Sequence, residues 1–581
     1  MLKNRMLFLL IILGGIILSL FFLTTKILIS YNSPLNTIPE YETIKILYWI
    51  GFILLIIPLS LEKCDKRIKI IALIIIIVFT TLNYALIAPY GRVYGRDSIY
   101  NLQNTENLIE NKYWEKGGGT GYAKSYSYFP ALAILNGTIS LMTNIDLNVL
   151  FLYFHNFLRA LLIPLLLYII FKGTIKKKYI IIAIFLYFTS PSLKTHIHQE
   201  GLGILLLLLT IYFLNNAEKN YINIFLATIV SLITFFSHHF SSYILIGWVS
   251  FISIPCFIKH LTKNNTKQAL KYIIFLLIIF SSLLFIPTSL NRSLALHSLE
   301  LVNFKDWLDF EKDISLNENY IGIDLAPYEI AMVILSVFII IILIILGLLY
   351  KKHSFNVITS FIYCSLITLL ALTFIPTQGL YIFLRIFEFS YIAFIPIIIV
   401  GIETLQKNDN IKYIIPFLLI ILFIGGNVLI DGGQARYLFT EKDKITQDNF
   451  ILETPAIFEA GEYLKSKDGE ILGDKLINNI IGGYYQFEVH VEKENQLKKI
   501  FGPSSIISYQ DLNYLASQQI IYIIPNNYQP ITINSYSNQI SFDKLEYSLY
   551  LNKIYSNNDL EIFRIRDQEL KCCLGYETKD S

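Results

Sequence analysis

Seven polar side chains, Asp97, His196, His198, Glu200, His238, His239 and Arg385, fall at the ends of long apolar runs. Carboxylates, imidazoles and guanidinium groups transfer protons, ligate metals and hold anions, but only where the chain brings them together. Arg92 and Arg96 flank Asp97 and favour its ionised form, which suits a general base or a metal ligand. An interfacial salt bridge is the other reading. His196, His198 and Glu200 occupy alternate positions, so in an extended or turning segment all three can point toward one divalent ion, Mg or Mn. A set of amphipathic interface residues would have the same composition. The pair His238 and His239 either contacts a substrate or caps a helix. Arg385 and Glu388 lie one helical turn apart, so they either pair or leave Arg385 to hold a phosphate oxygen. The run Gly117-Gly118-Gly119-Thr120-Gly121 has no preceding strand and no closing Lys-Ser/Thr, so it reads as a connector rather than a phosphate cradle.

The elements that must position these residues belong to a membrane. Hydrophobic residues make up 54% of 581 and charged residues 16%, and the mean hydropathy is +0.54. No water-soluble globule of this size has that balance. The net charge of +3 comes from 47 basic and 44 acidic residues, so no basic surface argues for nucleic acid. The five cysteines define no disulfide framework. The basic start Met1 to Arg5, followed by the apolar Met6 to Leu23 without a small-residue cleavage site, reads as a retained signal anchor.

A span needs roughly 20 apolar residues, fewer where neighbours cover its ends. About thirteen stretches qualify, near 6–23, 46–61, 69–88, 148–171, 179–191, 201–214, 222–237, 240–258, 272–287, 328–350, 355–375, 386–404 and 413–430. The apolar stretch Phe129 to Ile145 is left out on charge grounds. Counted as a span, it would place Lys172, Lys176, Lys177 and Lys178 opposite Lys63, Lys66, Arg67 and Lys69, against the positive-inside rule. As a juxtamembrane helix it leaves every strongly basic short loop on one face, taken as cytoplasmic together with the N-terminus. Asp97, the histidines, Glu200, Arg385 and Glu388 then all lie at the external face of a multi-pass plasma-membrane protein.

Residues 1–432 thus form the transmembrane part, with external loops at 89–130 and 288–326. The second loop is solvated, or a lid. Residues 433–581 carry no span-length run, and helix-like and strand-like segments alternate there: Pro455 to Lys467, Glu470 to Gly473, Gln519 to Ile524, Asn552 to Tyr555 and Glu561 to Arg566. An odd number of spans puts this α/β domain outside the cell.

A loop with an early Asp (Arg96-Asp97), an aromatic-Pro segment opening an interfacial helix (Tyr128-Phe129-Pro130), and a returning span that contains Arg159 together resemble the GT-C superfamily of membrane glycosyltransferases. That group includes protein mannosyltransferases, aminoarabinose transferases and oligosaccharyltransferases. The resemblance covers roughly Ile70 to Leu214 and implies a polyprenyl-phosphate sugar donor, a lipid, glycan or protein acceptor, no nucleotide cofactor, and Asp97 as the first-loop catalytic carboxylate. It also implies a second metal motif at His196, His198 and Glu200, where oligosaccharyltransferases carry carboxylates, and Arg385 as partner of the lipid phosphate. The Trp-Trp-Asp signature of oligosaccharyltransferases is absent. Two other classes share this layout: a transporter, flippase or envelope-polymer polymerase, and a GT-C scaffold without catalysis. Against transport stand the absence of an internal repeat and the scarcity of mid-span charge.

Overall fold

The computed structural model describes residues 2–31, 40–62, 64–86, 93, 96–114, 129–189, 199–217, 220–237, 239–263, 265–281, 327–350, 375–407, 412–428, 455–465, 467, 470–473, 481, 489–491, 520–524, 551–556 and 561–565. The chain is predominantly helical. In order the helices are α1 (Leu2–Tyr31), α2 (Glu40–Ser60), α3 (Lys66–Thr81), α4 (Asn83–Leu86), α5 (Arg96–Asn111), α6 (Ala131–Thr143) and α7 (Leu147–Phe171). There follow α8 (Ile180–Tyr187), α9 (Gln199–Asn215), α10 (Tyr221–Phe235), α11 (His239–Thr262), α12 (Thr266–Ser281), α13 (Pro327–Tyr350), α14 (Ile375–Gln406), α15 (Ile415–Val428) and α16 (Pro455–Leu464).

Among the described residues, four helices are long and apolar enough to cross a membrane: Asn4–Thr25, Leu147–Phe171, Ile244–Thr262 and Ala331–Leu349. Shorter apolar helices accompany them in α2, α6, α9, α10, α14 and α15. The distribution of side chains fits lipid as solvent. On α7, Tyr153, Phe157, Leu161 and Leu165 form an exposed stripe at helical spacing, while His155, Asn156, Arg159, Ile163 and Leu167 face inward. An apolar stripe turned outward from a packed polar one is stable only where the surroundings are themselves apolar.

Local chemistry explains several boundaries. Asp65 caps α3 by accepting from Arg67 N at 2.8 Å, and Asn220 caps α10 by accepting from Ile222 N at 3.0 Å. Two expected spans come out short. The run 69–88 is broken after Thr81, whose hydroxyl turns back to donate to Ile77 O at 2.6 Å. The run 179–191 yields only α8, closed where the Thr189 hydroxyl donates to Leu186 O at 2.7 Å, two residues before Pro191. The expected span 355–375 lies outside the described residues.

Polar contacts gather one end of the bundle. Lys176 pairs with Glu403, Lys178 Nζ lies 3.1 Å from Glu62 Oε1, and the Tyr179 hydroxyl donates to Gln406 Oε1 at 2.6 Å. The basic loops after α2 and α7 therefore lie side by side, joined by the end of α14. Further along, α13 and α14 cross at closest approach through two glycines: a Cβ on Gly347 would run into Ile397 O, and one on Gly401 into Leu343 O.

After α16 comes a mixed five-stranded sheet of order β2-β1-β3-β5-β4, built from β1 (Glu470–Gly473), β2 (Val489–Val491), β3 (Ile520–Ile524), β4 (Leu551–Ser556) and β5 (Glu561–Ile565). β1 runs parallel to β2 and β3, and β5 antiparallel to β3 and β4. Strand β2 was not anticipated. Three residues, Val-His-Val, carry too short an alternation to read.

Substituting Gly401→Val should cost about 1–3 kcal/mol or more, because the facing atom is backbone and cannot give way. Gly173→Ala meets nothing within 4 Å and should leave stability unchanged. Thermal unfolding in detergent compares the two, and equal midpoints would refute the close α13–α14 crossing.

Candidate functional site

Helix α5 has a polar sequence, yet each residue from Ser98 to Thr105 is buried, Asn101, Gln103 and Asn104 included. It ends at Asn111, where Lys112 adopts a left-handed conformation with φ 63°. Its cover is α6. Gly137 lets the two helices meet, and a Cβ there would lie 3.3 Å from Leu108 Cδ2 and 3.7 Å from Thr105 Cγ2. α6 is fixed at both ends: Ala131 N donates to Phe236 O at 3.0 Å, and Asn144, left-handed with φ 55°, donates its N–H to Ser140 O at 2.7 Å. Its 13 residues reach about 20 Å at 1.5 Å each, short of a roughly 30 Å hydrocarbon core.

Asn136 on α6 meets the site. Its Oδ1 lies 2.8 Å from His155 Nε2 on α7, and both side chains are buried. An amide oxygen only accepts, so Nε2 carries the hydrogen, and in the neutral ring Nδ1 keeps its lone pair. α7 opens on the cap Asp146, which accepts from Asn148 N at 2.8 Å and Val149 N at 3.3 Å. It then widens into a π-helical turn over Leu150–Phe154. That extra residue sets the rotation of all that follows, carrying His155, Asn156 and Arg159 onto the inward face.

Arg159 sits at the midpoint of the 25-residue apolar helix and is only 8% exposed. Its guanidinium lies against Gly201 on α9, where a Cβ would stand 3.5 Å from Nη1 and 3.6 Å from Cζ. Arg159 Nε, Asn136 Nδ2 and Asn156 Oδ1 have no hydrogen-bond partner among the described residues. Two residues further, and hence on the opposite face of α9, Gly203 packs directly on Ser241 of α11. The start of α9 thus touches α7 at Gly201 and α11 at Gly203.

The first turns of α9 and α11 contain two of the residues expected at the site. Glu200 immediately precedes Gly201, and His239 opens α11. Arg96 and Asp97 form the first turn of α5, where a carboxylate is favoured by the helix dipole. Arg92, His196, His198 and His238 lie outside the described residues. Arg385 and Glu388 fall within α14, which packs on α8, α13 and α15. They do not open their helix, as expected for a span at 386–404. α14 already begins at Ile375, because the apolar run Leu380–Leu384 continues the helical pattern on the near side of Arg385.

Arg159, His155, Asn136 and Asn156 were given no role by the sequence reading. The available signal was a cation in the middle of an apolar run. Chemically the cluster offers guanidinium and amide donors beside amide and imidazole acceptors. That set complements an oxyanion with a neighbouring hydroxyl. It does not suit a divalent cation, which a guanidinium repels, and among the described residues no group of three or more His, Cys, Asp or Glu is placed to hold a metal ion.

Lower on α5, burial pushes the Glu106 carboxyl up to about 7, reinforced by Glu110 and Asp146 and opposed by Lys465 just after α16. Between the ordinary carboxylate range and about 7, the folded chain keeps a proton that the unfolded chain has lost, so this group's contribution to stability declines as pH rises through that window. Thermal unfolding from about pH 5 to about pH 8 should show the decline, and Glu106→Gln should flatten it. A pH profile unaltered by that substitution would refute the assignment.

No protein-family model matches this chain, and no curated protein matches it.

Proposed function

We propose that this chain is a membrane glycosyltransferase, moving a sugar from a polyprenyl-phosphate donor to a lipid, glycan or protein acceptor at the external face of the plasma membrane. One observation supports it above the others: a donor- and acceptor-rich cluster is buried within apolar helices, against the start of α9. An apolar bundle keeps such groups when a polar ligand completes them. A lipid-linked sugar is polar at its head and reaches the bundle laterally through the bilayer. The finer topology belongs to the same proposal: about thirteen spans, a cytoplasmic N-terminus, and the tail beyond residue 432 outside the cell.

In the reaction, an acceptor hydroxyl attacks the anomeric carbon while Asp97 takes its proton. The bond from that carbon to the phosphate oxygen breaks, and the phosphate leaves with the electron pair. Arg385, positioned by Glu388, and the pair His238 and His239 stabilise the departing charge. Arg92 and Arg96 hold the substrate and keep Asp97 ionised. A Mg or Mn ion held by His196, His198 and Glu200 would supply Lewis-acid neutralisation of the phosphate. No step above depends on it.

A second reading, a transporter or flippase, draws on Arg159 itself, since a cation at the midpoint of a spanning helix also marks polar pathways through membranes. Reconstituted protein that moves polyprenyl phosphate between leaflets without transferring sugar would favour that class.

Purified protein offered a panel of radiolabelled polyprenyl-phosphate sugars should show transfer, and Asp97→Asn should lower it by about 10²-fold or more. Unchanged transfer by the variant would remove Asp97 as the base. Separately, chelation and His196→Ala should each depress transfer if the metal is used, and activity indifferent to both would exclude it.

A further inference from the structure

The geometry points to a binding site for an oxyanion inside the bundle, centred on Arg159 and completed by Asn136, His155 and Asn156. Arg159 is buried at mid-helix, and its Nε is without a partner among the described residues. A buried guanidinium with an unmet hydrogen bond is costly in a low-dielectric interior, and a bound anion lowers that cost. The neighbouring groups define the ligand further. Among the described residues, Asn136 Nδ2 is a second donor without a partner and Asn156 Oδ1 an acceptor without one. His155, with Nε2 committed to Asn136, offers Nδ1 as another acceptor. His155 and Asn156 stand one turn before Arg159 on the same helix face, so these groups line one strip.

Donors flanked by acceptors match a phosphate or carboxylate carried next to a hydroxyl. The head of a glycosyl phosphate has that pattern, and so does a sugar acid. The guanidinium packs against Gly201, and a larger side chain there would press on it. This assignment replaces none of the roles given to Asp97 or Arg385, and it holds even if no sugar is transferred.

The test measures binding to the purified full-length chain, using farnesyl phosphate, farnesol and methyl glucuronide as probes. Farnesyl phosphate should bind at least about tenfold more tightly than farnesol, and Arg159→Gln should weaken it by about ten- to a hundredfold, the range of a charged hydrogen bond. Arg159→Lys should fall between. Competition by methyl glucuronide alone would identify a sugar carboxylate as the oxyanion, and competition by inorganic phosphate alone would identify the lipid phosphate. If Arg159→Gln fails to fold, Gly201→Val carries the test: it keeps the cation, presses on it, and should weaken binding to a similar degree. The assignment is overturned if no anionic probe binds better than farnesol, or if binding survives Arg159→Gln or Gly201→Val. It is equally overturned if Glu200→Gln restores folding to Arg159→Gln, since the cation then serves a structural ion pair.

Discussion

A guanidinium at the midpoint of an apolar helix is the constraint from which the arrangement around it follows. At the centre of a membrane such a group costs about 2.5–3.5 kcal/mol by insertion scales, so it turns toward protein rather than lipid. Facing inward requires a neighbour that can approach closely, and α9 provides one by presenting Gly201. It also requires polar company. α6 supplies Asn136 to His155, one turn from the cation, and α6 is itself held by its contacts to α5 and to the end of α10. The short helices between α4 and α7 are therefore part of the packing of α7, not a peripheral excursion.

Elsewhere the bundle relies on less directional forces. Aromatic rings from three helices meet where Phe423 packs on Phe52 at 4.7 Å and stacks on Phe185 at 5.9 Å. Paired glycines let α13 and α14 touch through backbone, where lipid provides no hydrophobic drive to press helices together. Lysines and Glu403 tie the loops at one end, and because Glu403 is mostly buried, these contacts are firmer than ordinary surface pairs.

The apolar helices were legible because hydrophobic run length is a strong signal and charge asymmetry sorts the loops. That logic left Phe129 to Ile145 out of the spans; in the structure the stretch carries the 13-residue helix α6, which stops at Asn144. The tail's strands were legible through alternation, apart from the three-residue β2. The site was less so. Asn101, Gln103 and Asn104 fell within the expected external loop 89–130, since carboxamides give no hint of burial when considered singly, yet they are buried on α5. Arg159 entered the family pattern without a role of its own, so its meaning depends on what packs against it. Residues at helix starts stood out because type and position coincided there, whereas Arg385 lies inside α14 because an apolar run continues before it.

The widened turn at Leu150–Phe154 has an evolutionary side. A π turn is one residue more than an α-helix needs, and each residue of an α-helix advances the face by about 100°. Loss of any one residue from that turn would leave composition, length and hydropathy almost untouched, yet would swing Arg159, Asn156 and His155 away from their partners and toward lipid. A lineage could therefore gain or lose the polar interior in a single codon-length event, without altering one side chain that takes part in it.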